Sequence, residues 1–427
     1  MILSNIARRL VAAASTATVA LAITSCGAGN TVDYVYVTSN SQNPGQVNAY
    51  ALDSESGALH QLSDSPYPSG GRNPVYAVTS PNGLNLYVAN HDDNTIVQFA
   101  IGTDGKLYPQ TTVNTPGTEP VALAINPAGT VLYALDYYAP AAPGQPSYTD
   151  LNPGPGAVVA FPINSNGSLG TALASGAANY FTVQCFPSDL TITGDGNFLY
   201  VTNTNAVITT TSPPVTGTVP TLPAGCPNSG TLSGFSVAPS GSASVGLLTS
   251  LGSPVSTGSG SEPTGITATP LGDSSAGDTV FVTDAGLNQL YTYTTSNGSL
   301  TLASTVATGN MPMGATVVDP PASSTGKFLY VTNYTDGSIS SFSLSSGVPV
   351  ALTTTTAGAP GPLCVIADPR LQRFLFSADY IGGRVGGAEL NPATGGLITN
   401  QGSPYVTSGQ PTCVAAVQHI HGNAHGL

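Results

Sequence analysis

Short runs of alternating apolar and polar residues, each closed by a turn, recur seven times along this chain. Each copy contains a segment that ends in an aromatic-led motif: Tyr36-Val37-Thr38-Ser39, Tyr87-Val88-Ala89-Asn90, Tyr133-Ala134-Leu135-Asp136, Tyr200-Val201-Thr202-Asn203, Phe281-Val282-Thr283-Asp284, Tyr330-Val331-Thr332-Asn333 and Phe376-Ser377-Ala378-Asp379. A second motif, apolar-x-x-aromatic-x-apolar, follows each one. It is centred on Tyr50, Phe99, Phe161, Phe235, Tyr293 and Phe342, with Ala388 in place of the aromatic in the last copy. A period of two reads as strands with two unlike faces. A repeated unit of this size reads as a blade packed around an axis. The expectation is an all-β fold, a seven-bladed β-propeller of four-stranded blades.

The four strands of each blade, a to d, can be placed from turn chemistry. Strand a follows a Pro, as in Pro74, Pro120, Pro187, Pro263, Pro312 and Pro362. Strand b is the aromatic-led segment and strand c the second motif. Strand d follows a Gly-x-Leu signal, as in Gly57-Ala58-Leu59, Gly105-Lys106-Leu107, Gly167-Ser168-Leu169, Gly298-Ser299-Leu300 and Gly395-Gly396-Leu397. The Gly supplies the positive φ of a c–d hairpin. The first copy lacks strand a, while Gln410-Pro411-Thr412-Cys413-Val414 has the strand-a pattern and no strand b after it. The C-terminus is therefore expected to complete blade 1, which removes the open sheet edge.

Two copies carry long b–c inserts, at about 137–156 and 204–230. Tyr133 to Phe161 takes 28 residues and Tyr200 to Phe235 takes 35, against about 12 in most copies. Loops of this length are usually functional or mobile. The two inserts belong to neighbouring blades and share a face, where they could lid the central channel.

Composition narrows the partners. The net charge is −13 with only eight Lys plus Arg, so no basic patch can neutralise phosphates and nucleic acid is excluded as a partner. Trp is absent, which argues against propeller classes that use Trp as a signature. Arg8 and Arg9 precede an apolar stretch, Leu10 to Ile23, too short to span a bilayer comfortably. It ends in Ile23-Thr24-Ser25-Cys26, which resembles a bacterial lipobox. The expectation is a signal peptide over 1–25, lipidation of Cys26, a linker over 26–32, the propeller over 33–418 and a flexible tail over 419–427. That places the chain in the bacterial cell envelope, lipid-anchored to the periplasmic or outer-membrane leaflet, as a monomer. Cys185, Cys226, Cys364 and Cys413 remain, an even number that permits two disulfides in an exported chain. Cys185–Cys226 would pin the second insert. Cys364–Cys413 would join neighbouring blades 7 and 1, if their inner strands come close enough.

Candidate chemistry concentrates at the channel mouth. The residues just before each strand-a Pro are Gln410, Asn73, Glu119, Phe186, Glu262, Met311 and Gly361. Two of the four Glu in the chain fall in this ring, two blades apart, and either could act as a general base or be a solvated rim charge. Arg72, His91 and Arg384 lie in loops of the same face and could stabilise an oxyanion. The Asn or Asp that ends most b strands reads as a turn-bonding structural residue. No cofactor or metal motif is present, and no G-x-S-x-G, H-E-x-x-H or Walker sequence occurs.

Together the aromatic-led strands, the Pro-led strand a and the Gly-x-Leu turns resemble the lactonase family of seven-bladed propellers, over about Asp33 to Gln418. That family includes 6-phosphogluconolactonase-like and surface-layer repeat proteins. The resemblance implies the propeller and a lactone hydrolase. It assigns no catalytic residue, because no strand-a Pro here is followed by the Arg-His pair of enzymatic members. Two functions follow: a lactonase-like hydrolase of an uncharged lactone or sugar derivative, or a non-catalytic envelope scaffold. The scaffold would bind a glycan or an envelope protein through the insert-bearing face; a filled channel and a flat face rich in Tyr137, Tyr138 and Tyr148 would favour it, and a deep channel with a carboxylate facing a cation would favour the hydrolase.

Overall fold

The computed structural model describes residues 31–41, 43–150, 152–204, 226–242, 244–270, 278–321 and 326–419. The signal segment, Cys26, most of the second insert and the end of the tail lie outside the described residues.

Seven antiparallel sheets stand around a central axis. Blade 2 shows the plan from axis to rim: Pro74–Thr79, Asn85–Asn90, Thr95–Ile101 and Leu107–Asn114. The inner strands of the other blades begin at or near the predicted Pro, at Thr118, Pro187, Pro263, Pro312, Pro362 and Pro411. In blades 1, 4 and 7 the outermost strand is broken into two short pieces. The ring closes as expected. Pro411–Gln418 pairs antiparallel with Thr31–Ser39, in register from Asp33 opposite Gln418 to Thr38 opposite Cys413. One outer strand differs from the expectation. In blade 3, Gly167-Ser168-Leu169 makes only an isolated bridge to Ile163, and the outer strand is Phe181–Cys185. The intervening residues, with Gly170 and Gly176, carry no period-two alternation that could hold a ladder.

The core is seven separate apolar layers, one between each pair of neighbouring blades. Val35, Tyr50, Phe374 and Phe376, for example, join blades 1 and 7. Each buried Leu, Val or Phe contributes roughly 1.5–3 kcal/mol by area.

The two sequence signatures prove to be two halves of one contact. Tyr36, Tyr87, Tyr133, Tyr200 and Tyr330 are fully buried. Their hydroxyls donate to the carbonyls of Gly105, Gly167, Gly246, Gly298 and Gly395 at 2.7–3.0 Å. Each acceptor lies in the c–d turn of another blade. Gly246-Leu247-Leu248 is a further copy of the turn signal, recognised only through this bond. The turn glycine is required twice over. It has positive φ, and a Cβ on Gly105 or Gly395 would strike the ring of Tyr34 or Phe328. Where Phe376 replaces Tyr, the Gly57 carbonyl takes the Asn400 amide and the Tyr405 hydroxyl instead.

Candidate functional site

The channel mouth is built from a repeated backbone device. The ladder slips by a residue at the start of each inner strand, as between Pro74 and Tyr76 and between Pro187 and Asp189. Pro fits there because it has no N–H to leave unpaired. The residue before it is left-handed in five blades: Asn73 (φ 50), Glu119 (φ 58), Phe186 (φ 56), Met311 (φ 55) and Gly361 (φ 76). This conformation is uncommon outside Gly. Its recurrence makes it a property of the blade, and it aims the side chains that line the mouth.

The Asn and Asp that end the b strands brace the same region. Asn90, Asp136, Asn203, Asp284, Asn333 and Asp379 are all fully buried. Many of their partners lie in the loop entering strand a of the same blade, and Asp284 also takes the Gly286 and Leu287 amides of the turn that follows strand b, as expected. The Gly117, Glu262, Gly309 and Ala359 amides donate to Asp136, Asp284, Asn333 and Asp379.

A cavity of about 690 Å³ runs down the axis from this mouth. At its rim, His91 sits on a short 3₁₀ turn, His91–Asp93, between strands b and c of blade 2. Its Nδ1 donates to Asp92 Oδ1 at 2.8 Å, and its Nε2 stands 3.9 Å from Glu119 Oε2. That separation is too long for a direct hydrogen bond, but one oxygen atom can sit within hydrogen-bond reach of both. Burial raises the Glu119 carboxyl above the ordinary Glu range; His91 opposes the rise, and Asp150 and Asp92 add to it. At Asp92 burial acts upward too, but the hydrogen bonds from Asn73 and His91 outweigh it and hold the carboxyl low. Asp150 reaches the cavity from the blade-3 insert, where its Oδ1 accepts the Tyr138 hydroxyl at 2.9 Å.

Deeper in the channel, Asp189 on the inner strand of blade 4 meets the Tyr76 hydroxyl from blade 2. The Leu190 and Ile266 amides also donate to Asp189, at 2.8 and 3.1 Å. Burial pushes this carboxyl up to about 7 against those bonds. The charge of Asp189 in turn raises the Tyr76 hydroxyl. Sequence reasoning passed over this pair. Its signal was Asp189 at a strand-a position where the other blades carry Tyr76, Ala122, Gly265, Gly314, Cys364 and Cys413.

Of the predicted site residues, the structure brings Glu119 and His91 together on the cavity wall, while Glu262, Arg72 and Arg384 are outside it. Glu262 lacks the left-handed φ of Glu119. Its amide is bound by Asp284 Oδ1 at 2.9 Å, and its carboxyl is raised by burial and by Asp284. The two Glu therefore do not share one cavity wall, despite their equal places in the repeat. Arg72 is tied to the His91 turn: Nε donates to Asp93 at 2.7 Å and Nη2 to the Asp92 carbonyl at 2.9 Å. It positions that turn. Arg384 opens strand c of blade 7, opposite Asp379. Among the described residues, no Lys or Arg lines the cavity.

The cysteines join as Cys185–Cys226 and Cys364–Cys413, with Cα atoms 5.4 and 5.1 Å apart. Neighbouring inner strands thus come within disulfide reach. They do so because small residues line their approach: a Cβ on Gly314 would press on the Leu363 carbonyl. A filled channel and a flat tyrosine face would have favoured the scaffold. The channel is open, Tyr138 is buried, and Tyr148 packs against Gly154.

The family model for lactonase, 7-bladed β-propeller, matches residues 77–139 and 281–422, and the chain resembles that family. No curated protein matches the sequence. Among solved structures, a candidate 6-phosphogluconolactonase of Bacteroides fragilis is 19% identical, with a TM-score of 0.65. That match covers 91% of this chain and 98% of the other. A Bacteroides uniformis counterpart is 17% identical, with a TM-score of 0.67, covering 91% of this chain and 100% of the other. The periplasmic gluconolactonase of Pseudomonas aeruginosa is 17% identical, with a TM-score of 0.65, covering 90% and 99%. At these identities the likeness shows the fold.

Proposed function

We propose that the protein hydrolyses a small uncharged lactone at the mouth of the central channel, with Glu119 as general base and His91 as the group that polarises the carbonyl. The observation that carries this reading is the 3.9 Å gap between His91 Nε2 and Glu119 Oε2 at the rim of an open cavity. Asp92 fixes the imidazole through Nδ1, so that Nε2 faces the reacting group. Glu119 takes a proton from water as its oxygen attacks the carbonyl carbon. His91, acting as the imidazolium with both ring nitrogens protonated, donates Nε2–H to the carbonyl oxygen as negative charge develops there. When the tetrahedral intermediate collapses, the ring C–O bond breaks and Glu119 returns its proton to the departing ring oxygen. The product is the hydroxy acid. Among the described residues the cavity wall carries no Lys or Arg to pair with a phosphate, which favours an unphosphorylated substrate.

The lipobox-like Ile23-Thr24-Ser25-Cys26 supports export and anchoring through Cys26. The periplasmic gluconolactonase among the similar structures agrees with an envelope site of action. Retention of a Cys26→Ser variant in the membrane fraction would count against the anchor.

The test of the reaction is hydrolysis of unphosphorylated and phosphorylated lactones by the mature domain, with Glu119→Gln and Glu262→Gln in parallel. Turnover that survives Glu119→Gln would remove Glu119 as the base. Absence of turnover on every lactone would remove the reaction.

A further inference from the structure

The layer of the channel directly below Glu119 and His91 is formed by the residue that follows each strand-a Pro. Four of the seven are apolar: Val75, Val121, Met313 and Leu363. The other three are hydroxyl residues, and each is already engaged by protein. Ser188 donates to the Pro263 carbonyl at 2.9 Å, Thr264 to the Pro312 carbonyl at 2.6 Å and Thr412 to the Pro74 carbonyl at 2.6 Å. Each also contacts the hydroxyl of a strand-b threonine, Thr202, Thr283 or Thr38.

The next layer down continues the pattern. Gly265, Gly314 and the Cys364–Cys413 disulfide offer no side-chain donor. Asp189 and Tyr76 satisfy one another, with the Leu190 and Ile266 amides completing the carboxylate. The upper channel, half polar in sequence, thus presents mostly apolar or already bonded side chains, while Thr79, Thr191, Thr267 and Thr316 line it lower down. A polyhydroxylated chain placed there would lose its water and find few partners, at a cost for each unmet hydroxyl. An alkyl chain would lose nothing.

We propose that the substrate is a lactone bearing an apolar substituent, with the ring held at the mouth and the alkyl or acyl chain lying down the upper channel. This deepens the lactone reading and rests on it for the placement of the ring. From the level of Glu119 to that of Asp189 the inner strands advance three residues, roughly 10 Å, which suits a chain of medium length. The cavity of about 690 Å³ exceeds what a bare sugar lactone needs and leaves room for such a chain.

The experiment is a chain-length series on the intact protein: γ-butyrolactone, γ-hexalactone and γ-octalactone, with glucono-δ-lactone for comparison. Each methylene buried should raise kcat/KM about three- to fourfold, or on the order of 10²-fold from butyrolactone to octalactone. Met313→Gln should reduce the octalactone-to-butyrolactone ratio at least tenfold. A flat series, with glucono-δ-lactone the better substrate, would overturn the proposal while leaving hydrolysis standing. Channel occupancy is read separately by thermal shift with n-octanol against n-butanol at equal concentration. Stabilisation by octanol without turnover of any lactone would keep the apolar channel and sink the reaction. No shift with either alcohol and no chain-length trend would sink the channel inference, including in the case where Met313→Gln does not fold.

Discussion

Glu119 and Glu262 hold the same place in the repeat, one residue before the strand-a Pro, yet the fold treats them differently. Glu119 is left-handed, its amide is taken by Asn94 Oδ1 at 2.7 Å, and its carboxylate faces His91 across the cavity rim. Glu262 keeps an ordinary φ, its amide is taken by Asp284 instead, and its side chain stays off the cavity wall. The repeat therefore supplies equivalent backbone positions but not equivalent chemistry. The local hydrogen bond that captures the amide accompanies the choice of where the carboxylate points. Partners count as well, because His91 and its Asp92 brace occur in the b–c loop of blade 2, whereas the sequence of the corresponding loop of blade 4, 204–229, contains no His or Asp.

Substitution should separate the two Glu most clearly. Glu119→Gln should lower kcat on a lactone substrate by about 10²–10⁴-fold, the usual range for loss of a general base. Glu262→Gln should stay within about twofold. Equal losses in both would return the two carboxylates to a shared role.

The Cys364–Cys413 bridge comes next. It closes a 49-residue separation and fastens the C-terminal strand to blade 7. It does not cross the seam itself, which is the pairing of that strand with Thr31–Ser39. Paired Ser substitutions should cost about 4 kcal/mol in the chain-entropy account, read as a lower urea midpoint.

A third prediction concerns pH. With Glu119 as the proposed base, its ionised form would be the active one, and its folded carboxyl lies above the ordinary Glu range, so kcat/KM should rise with pH through a value higher than that of an exposed Glu. The acid limb should vanish in Glu119→Gln.

Stability should move the other way. Burial first, and the neighbouring Asp368 second, push Asp33 up to about 8 from 3.8. The Leu371, Gln372, Arg373 and Phe374 amides donate to the Asp368 carboxyl. The folded state therefore holds the Asp33 proton more tightly than the unfolded chain does. That stabilisation is complete below about 4 and is lost as pH rises toward about 8. Asp33→Asn should flatten the fall of Tm between pH 5 and 8, and an unchanged slope would remove Asp33 as its source.

The smallest effect belongs to the repeat staple. Tyr330→Phe or Tyr200→Phe should cost about 1 kcal/mol each, the net worth of one buried hydrogen bond plus its orphaned carbonyl. Phe281→Tyr would show whether blade 5 can accept the same bond.

Much of this architecture is legible along the chain because its causes are local. Period-two alternation, a Pro that cannot donate to a ladder, and a Gly that permits positive φ act over a few residues. They place the strands, the blade count and the closing strand. The outer strand of blade 3 was misplaced because the Gly167 turn copies the signal while the residues after it cannot sustain pairing. The proposed site is only half legible. His91 and Glu119 were among the candidates, but so were Glu262, Arg72 and Arg384, which are chemically just as suitable.

Seven repeated blades and a mouth with few charges follow from residue type and spacing along the chain. Only the tertiary structure decided that Tyr330 and Gly395, or His91 and Glu119, would meet, and that Ser188, Thr264 and Thr412 would present no free hydroxyl. Those outcomes depend on distances between blades, where a shift of one ångström makes or breaks a hydrogen bond, and no local pattern encodes them.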